Sequence, residues 1–342
     1  VIWNVPSRGC VRKDINIPLE KYHILVNSGN EFYGEHIVTL YETKFGLFPY
    51  FKNLSDPKSA VNGGIPQKIN LYTHLRRVEE DIAKAIPDRR FNGLAILDIE
   101  EWRPLWSSNW GAKQLYLHES IKFVFQRYPN ISLKGAEEIA IGEFNEAAAS
   151  IMINTIRMGI RKRPFAKWGF YGFPYCNYDA GSKGEYECSL AYQKTNDRLK
   201  FILNEGTALY PSIYLHKKSK ENENFRYIHA ILKEAKRISS QFTPKKPIFA
   251  FTRVEYQPHE NPTYYYSKFD LCISLKQSRD LGLKGAIIWS TSYGMTNWRC
   301  LNLSNYVTTR LGPYVQEVIS HATKCSIKNY YSSGNCVLND ER

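Results

Sequence analysis

The sequence contains no apolar run of about 18 residues, so no membrane-spanning helix is expected. It lacks a C-x-x-C pair, which argues against zinc ribbons and thioredoxin-type sites. It also lacks H-E-x-x-H, G-x-S-x-G and a P-loop, and no G-x-G-x-x-G follows its first expected strand. Its eight histidines are dispersed, which gives a metal site no support, and no cofactor is expected. Low-complexity tracts, internal repeats and Pro/Gly-rich linkers are missing as well. The chain starts at Val1 with no signal peptide, as a processed or trimmed chain would, and direct targeting evidence goes with it.

The 342 residues are 43% hydrophobic, ordinary for a globular protein and too high for a disordered one. That length suits two domains or one large α/β barrel. Forty-six Lys and Arg against 33 Asp and Glu give a net charge of +13, which favours a polyanionic partner. The basic runs Arg161–Lys167 and Lys217–Lys220 read as solvated loops, and with no recognised binding motif beside them nucleic acid is not the expected partner. Of the seven cysteines, Cys176 and Cys188 flank a polar Gly-containing stretch and Cys325 and Cys336 flank another. Both read as short disulfide loops, with scattered buried thiols as the alternative. Cys272, in FDLCISL, is expected free and buried. N-x-[ST] sequons at Asn53, Asn130 and Asn302 add to the cysteines in favour of a secreted glycoprotein, extracellular or alternatively lysosomal.

Short apolar, β-rich runs recur at Ile2–Val5, His36–Tyr41, Leu94–Ile99, Trp168–Phe173, Leu209–Leu215, Pro247–Thr252 and Gly285–Trp289. Helical periodicity lies between them, most clearly at Ala140, Phe144, Ala147, Ala148, Ile151, Thr155 and Met158. Leu71–Ala85, Glu221–Ser240 and Tyr266–Leu281 are further expected helices. The alternation predicts an α/β protein with parallel strands, as a (β/α) barrel of about seven strands or an open doubly wound sheet. Composition changes only near Thr323, where a polar, Cys-bearing tail begins.

The stretch LAILDIEEWRPLWSSNW at Leu94–Trp110 carries the clearest chemistry. A buried strand runs into Asp98, Glu100, Glu101 and Arg103. Residues two apart on a strand share a face, so Asp98 and Glu100 are expected to project together, with Cα atoms about 6–7 Å apart. Two such carboxylates repel, so one should keep its proton, and a protonated carboxyl beside an ionised one suits a glycosidase. The alternative is a solvated acidic turn partnered by Arg103. Trp102, Trp106 and Trp110, at steps of four, read as a helical core stripe before a sugar platform.

The sequence resembles the animal hyaluronidases, the family with venom, sperm-surface and lysosomal members. DIEEWRP at Asp98–Pro104 is similar to the family's acidic signature. WNVPSRGC at Trp3–Cys10, VNGGIPQKINLYTHL at Val61–Leu75, WGFYGFPYCNY at Trp168–Tyr178, ALYPSIYL at Ala208–Leu215, GAIIW at Gly285–Trp289 and LGP at Leu311–Pro313 follow in family order. The resemblance implies a distorted (β/α) TIM-like barrel over residues 1–322 and a short, truncated EGF-like tail over 323–342. It implies an endo-acting hydrolase of β-1,4 bonds in hyaluronan, with chondroitin as a slower or alternative substrate. A non-catalytic glycosaminoglycan binder is the reading from another class. The implied mechanism is retaining, with the substrate acetamide as nucleophile. Glu100 matches the general acid/base and Asp98 its partner. Tyr171 and Tyr214 match acetamide-positioning residues, and Trp289 an aromatic wall. Asn4, Tyr41 and Arg103 match groove residues. A monomer is expected.

The resemblance also pairs Cys10 with Cys300 and Cys176 with Cys188, and likens Cys325–Cys336 to the opening of the EGF-like module. Tyr330 stands where the family usually has another cysteine. Other departures are Ile99, where an aromatic is usual, Ile231, where many members place a substrate-binding arginine, and Phe251, where some have tyrosine.

Overall fold

The computed structural model describes residues 1–216 and 220–328. Its strands, in chain order, are β1 (Ile2–Asn4), β2 (Leu25–Val26), β3 (Ile37–Tyr41), β4 (Tyr50–Phe51), β5 (Ala60–Val61), β6 (Leu94–Asp98), β7 (Lys167–Phe170), β8 (Phe249–Thr252), β9 (Glu255–Gln257), β10 (Asn261–Tyr265) and β11 (Gly285–Trp289). The chain divides into two compact units. One comprises Val1–Val38, Tyr171–Asp197 and the chain from Thr207 onward, and the other Thr39–Phe170 with Arg198–Gly206.

The first unit is built on a parallel sheet of order β2-β1-β11-β8. Single bridges continue it: Leu209 to Ile248, Ser212 to Phe251, and Tyr171 to Tyr210. The strand expected over Leu209–Leu215 is thus reduced to isolated bridges. Pro211 has no N–H to donate and interrupts the ladder there. Helices Glu221–Ser239 and Lys268–Asp280 pack together in this unit. Ile231 is 3% exposed, an apolar core position. Cys10 is bonded to Cys300 and Cys176 to Cys188. Cys272 is free but only half-buried, which corrects the expectation of a buried thiol. It lies beside Tyr314.

The second unit holds the sheet β3-β6-β7, with β6 and β7 parallel, and the hairpin of β4 and β5. Helix Leu133–Lys162 begins at Ser132, whose hydroxyl caps Gly135 N, and buries Ala136, Ala140, Phe144, Ala148, Ile151, Thr155 and Gly159 at steps of three and four. A Cβ on Gly159 would lie 2.9 Å from the Trp168 indole, so only glycine lets helix and strand approach this closely. Helix Leu71–Ala85 is capped by Asn70 and helix Gln114–Arg127 follows the acidic segment. His74 is fully buried. Thr155 donates its hydroxyl to Ile151 O and therefore accepts from His74 Nε2, leaving Nδ1 to accept from Leu47 N. Burial pushes its pKa down to about 4.

Two local expectations are corrected. Trp102, Trp106 and Trp110 do not share a helix: they lie on turns and a single 3-10 turn, and go from buried through half-buried to 53% exposed. Pro104 and the buried Asn109, which bonds the backbone of Arg103 and Leu105, hold this stretch as a loop. Arg163, expected in a solvated run, is 5% exposed and donates to Ile86 O and Lys162 O, closing the end of the long helix. Of the other basic run, residues 217–219 lie outside the described residues. The last helix, Gly312–Lys328, crosses the boundary expected at Thr323. The tail beyond it, Cys336 and the expected Cys325–Cys336 loop lie outside the described residues.

Candidate active site

The second unit contributes carboxyl groups. All five residues of β6 are buried, and the strand ends on Asp98, itself 8% exposed. The ladder stops there, and Glu100, two residues on, is exposed. The chain beyond is fixed by side chains instead. Glu42, directly after β3, donates its backbone N–H to Asp98 O at 3.1 Å. Its carboxylate Oε1 accepts from Glu100 N at 3.0 Å and from Glu101 N at 2.9 Å. Lys113 Nζ donates to Glu100 O at 2.6 Å and Glu101 O at 2.9 Å. Further along, Trp102 Nε1 donates to Pro49 O, and Arg103 donates to Ser108 O while its guanidinium stacks 4.8 Å from the Trp110 ring centre. Tyr41, at the end of β3, is half-buried.

Burial raises the Asp98 pKa well above the usual carboxyl range, and the charges of Glu100 and Glu42 add to that effect. Burial also pushes Glu42 up to about 8. The two backbone N–H groups work against this rise, and the charges of Glu101 and Glu100 add to it. Glu101 is raised by burial and opposed by Lys113. Lys113 is lowered, by burial first and then by Arg103. The cluster therefore retains protons well above the pH at which exposed carboxyls lose them. Among the described residues no group of three or more His, Cys, Asp or Glu is arranged to hold a metal ion.

The first unit has its own cluster of aromatic side chains. Tyr214 and Trp289 stack with ring centres 6.0 Å apart and planes 25° from parallel. Tyr171 lies 6.0 Å from Tyr214, meets Phe251 edge-on at 5.1 Å and donates its hydroxyl to Ser212 Oγ. The Arg253 guanidinium sits 3.9 Å from the Tyr214 ring centre and 5.0 Å from that of Trp289. Its Nε is buried with no hydrogen-bond partner. Asn4 is buried on β1 opposite Trp289 in the sheet register.

A buried ion pair stands behind this cluster. Arg299 and Glu255 have side chains 1% exposed and meet at 3.2 Å. Arg299 also donates to Ser290 Oγ and to the carbonyls of Thr291 and Tyr293, and Ser290 donates to Glu255. The loop after Trp289 is thereby tied to β9.

Of the expected site residues, Asp98, Glu100, Arg103 and Tyr41 fall in the second unit, and Tyr171, Tyr214, Trp289 and Asn4 in the first. Sequence reasoning missed Glu42, Lys113, Arg253 and the Glu255–Arg299 pair. The only signals were an acid directly after a strand-end tyrosine and a cation two residues past Phe251. The sequon residues Asn53 and Asn130 are exposed, whereas Asn302 is half-buried on a helix and donates Nδ2 to Trp298 O.

The hyaluronidase family model matches residues 1–342. A chondroitin hydrolase of Caenorhabditis elegans is 41% identical over 99% of this chain and 74% of its own. Hyaluronidase-1 of Sus scrofa is 33% identical over 98% of this chain and 77% of its own. Bee venom hyaluronidase in complex with a hyaluronic acid tetramer superposes with a TM-score of 0.85 at 32% identity, covering 93% of this chain and 99% of that one. With an α/β fold of parallel strands, carboxyls gathered at a strand end and a full-length family match, the chain belongs to the hyaluronidase family and is a glycoside hydrolase.

Proposed function

We propose that this protein is an endo-acting hydrolase of glycosaminoglycan chains, working by a retaining, substrate-assisted mechanism with Glu100 as general acid/base. The observation that carries this reading is the group of carboxyls at the end of β6, where burial and mutual repulsion hold protons on the cluster. Glu100 would protonate the glycosidic oxygen as the bond to C1 breaks. The carbonyl oxygen of the substrate's own N-acetyl group would attack C1, giving an oxazolinium intermediate. Glu100, now ionised, would then take a proton from water as it opens that ring. Asp98 would orient the acetamide and favour the positive charge developing on it. Tyr171, Tyr214 and Trp289 take, by the family resemblance, the acetamide and the sugar ring, and Asn4, Tyr41 and Arg103 the groove. Because the nucleophile belongs to the substrate, a second nucleophilic carboxylate is not required. Arg253 supplies a positive charge for the carboxylate that recurs along such polymers.

Hyaluronan is the proposed substrate. Chondroitin is the second reading, favoured by the 41% identity to a chondroitin hydrolase. The proposed frame is the family's distorted (β/α) barrel, and the proposed setting is extracellular with lysosomal as the alternative. No helix among the described residues is long and apolar enough to cross a membrane.

The test follows the chain length of both polymers over time across acid and neutral pH, with wild type beside Glu100→Gln. Shortening by wild type and a loss of about a hundredfold or more in Glu100→Gln is the expected result. Binding of folded protein to both polymers without shortening either would overturn it in favour of a non-catalytic binder.

A further inference from the structure

Beyond the last ladder position of β6, four main-chain polar groups belong to Glu100 and Glu101. Two side chains, a carboxyl and an ammonium, take all four. The Glu42 carboxylate accepts both N–H groups, and the Lys113 ammonium donates to both carbonyls. Glu100 N lies on the peptide before the Glu100 Cα, and Glu100 O and Glu101 N on the peptide after it, so both backbone torsions of Glu100 are held; Glu101 O fixes the next peptide. A side chain's direction follows from the torsions of its own residue. The bonds from the Lys113 ammonium to the two carbonyls are charge-assisted as well.

Glu42 is costly to keep in this position. It is 8% exposed, and its second oxygen, Oε2, is buried with no hydrogen-bond partner. Burying a carboxyl with one oxygen unsatisfied is unfavourable. Satisfying two amides of an ordinary surface turn would not require it, because water could do so.

We infer that Glu42 and Lys113 are positioning residues that clamp the backbone of Glu100 from both sides and so fix the direction in which its carboxyl is presented. This rests on Glu100 being the acid/base. The clamp acts through geometry, and charge alone does not reproduce it. Glutamine at position 42 keeps an oxygen at the same reach. Aspartate keeps the carboxyl but is one methylene too short. Misplacing a reacting group by about 1 Å can cost on the order of a hundredfold in rate, so a partly released backbone is expected to show mainly in kcat.

The experiment measures kcat and KM, well below the unfolding temperature, on whichever polymer wild type shortens. The variants are Glu42→Ala, Glu42→Asp, Glu42→Gln, Lys113→Met and Glu100→Gln. The expected result is a kcat lower by about tenfold or more in Glu42→Ala and Glu42→Asp, with KM within about twofold and most of the loss recovered in Glu42→Gln. Lys113→Met, which releases the other side, is expected to lose about threefold to tenfold in kcat and little in KM. The clamp is overturned if Glu42→Ala keeps wild-type kcat, or if Glu42→Gln is no better than Glu42→Ala. Should Glu42→Ala fail to fold, Lys113→Met decides, and wild-type kcat there overturns the inference. The two failures remain separable: an active Glu100→Gln removes the acid/base reading, whereas an inactive Glu100→Gln beside an unimpaired Glu42→Ala removes only the clamp.

Discussion

The two units keep buried charge in different ways. In the unit from Thr39 to Phe170, Glu42 and Asp98 are buried near one another and near Glu100, and the strain is relieved by holding protons and by backbone donors. In the other unit, Glu255 is buried against a full counter-charge on Arg299, with Ser290 and two carbonyls completing the set. In this second arrangement, burial raises the Glu255 pKa and Arg299 works against that rise, and the pair holds a loop. The units also differ in their covalent ties. Both disulfides among the described residues lie in the unit that carries the aromatic cluster, whereas the carboxyl unit has no cysteine at all and relies on packing such as Gly159 against Trp168.

The contrast in covalent ties can be broken most directly. Replacing Cys10 and Cys300 together by serine opens a link across a sequence separation of 290. In the chain-entropy model such a link is worth about 6 kcal/mol. Hydrogen exchange is expected to show lost protection in β1 and β11 with β6 largely unchanged. Equal loss in both would mean that the units share one stability. Next in size is Arg299→Met, which strands Glu255 without its partner and is expected to cost about 3–5 kcal/mol in urea unfolding. Adding Glu255→Gln should return part of it, and if the single variant is as stable as wild type, the pair is not what holds the loop after Trp289. The smallest effect concerns His74. Its folded pKa lies below its unfolded value, so the folded state binds fewer protons, and stability is complete above about 6.5 and falls as pH drops towards about 4. At pH 5 the loss is about 1–2 kcal/mol. A His74→Gln variant should flatten that part of a thermal-melt series, and an unchanged slope would assign the acid sensitivity elsewhere.

Local features made much of this legible in the sequence. Leu71–Ala85 carries its own cap at Asn70, and Gly285–Trp289 is an unbroken apolar run, and both elements occupy the expected residues. Leu209–Leu215 has equal β-propensity, but Pro211 removes a donor and single bridges remain. Asp98 and Glu100 stood out because two acids follow a buried strand. Glu42 did not, because its carboxylate serves amides 58 and 59 positions away, and one acid after a strand has no signature. Arg253 and Arg299 were hidden for the same reason: what each touches is set by tertiary packing, with Glu255 lying 44 positions from Arg299.

Strand β1 lies between β2 and β11, with Trp3 in register with Val26 on one side and Ile288 on the other. On the ribosome its two neighbours arrive at very different times. β2 follows within seconds, but β11 is translated only after the whole carboxyl unit has emerged. At about 5–20 residues per second the delay is roughly 15–60 s. Through that interval the apolar face of β1 has no partner on its second edge, while β6 and β7 can already pair. The sheet that carries Trp289 is therefore completed after the one that carries Asp98, and the nascent β1 waits with one edge unpaired.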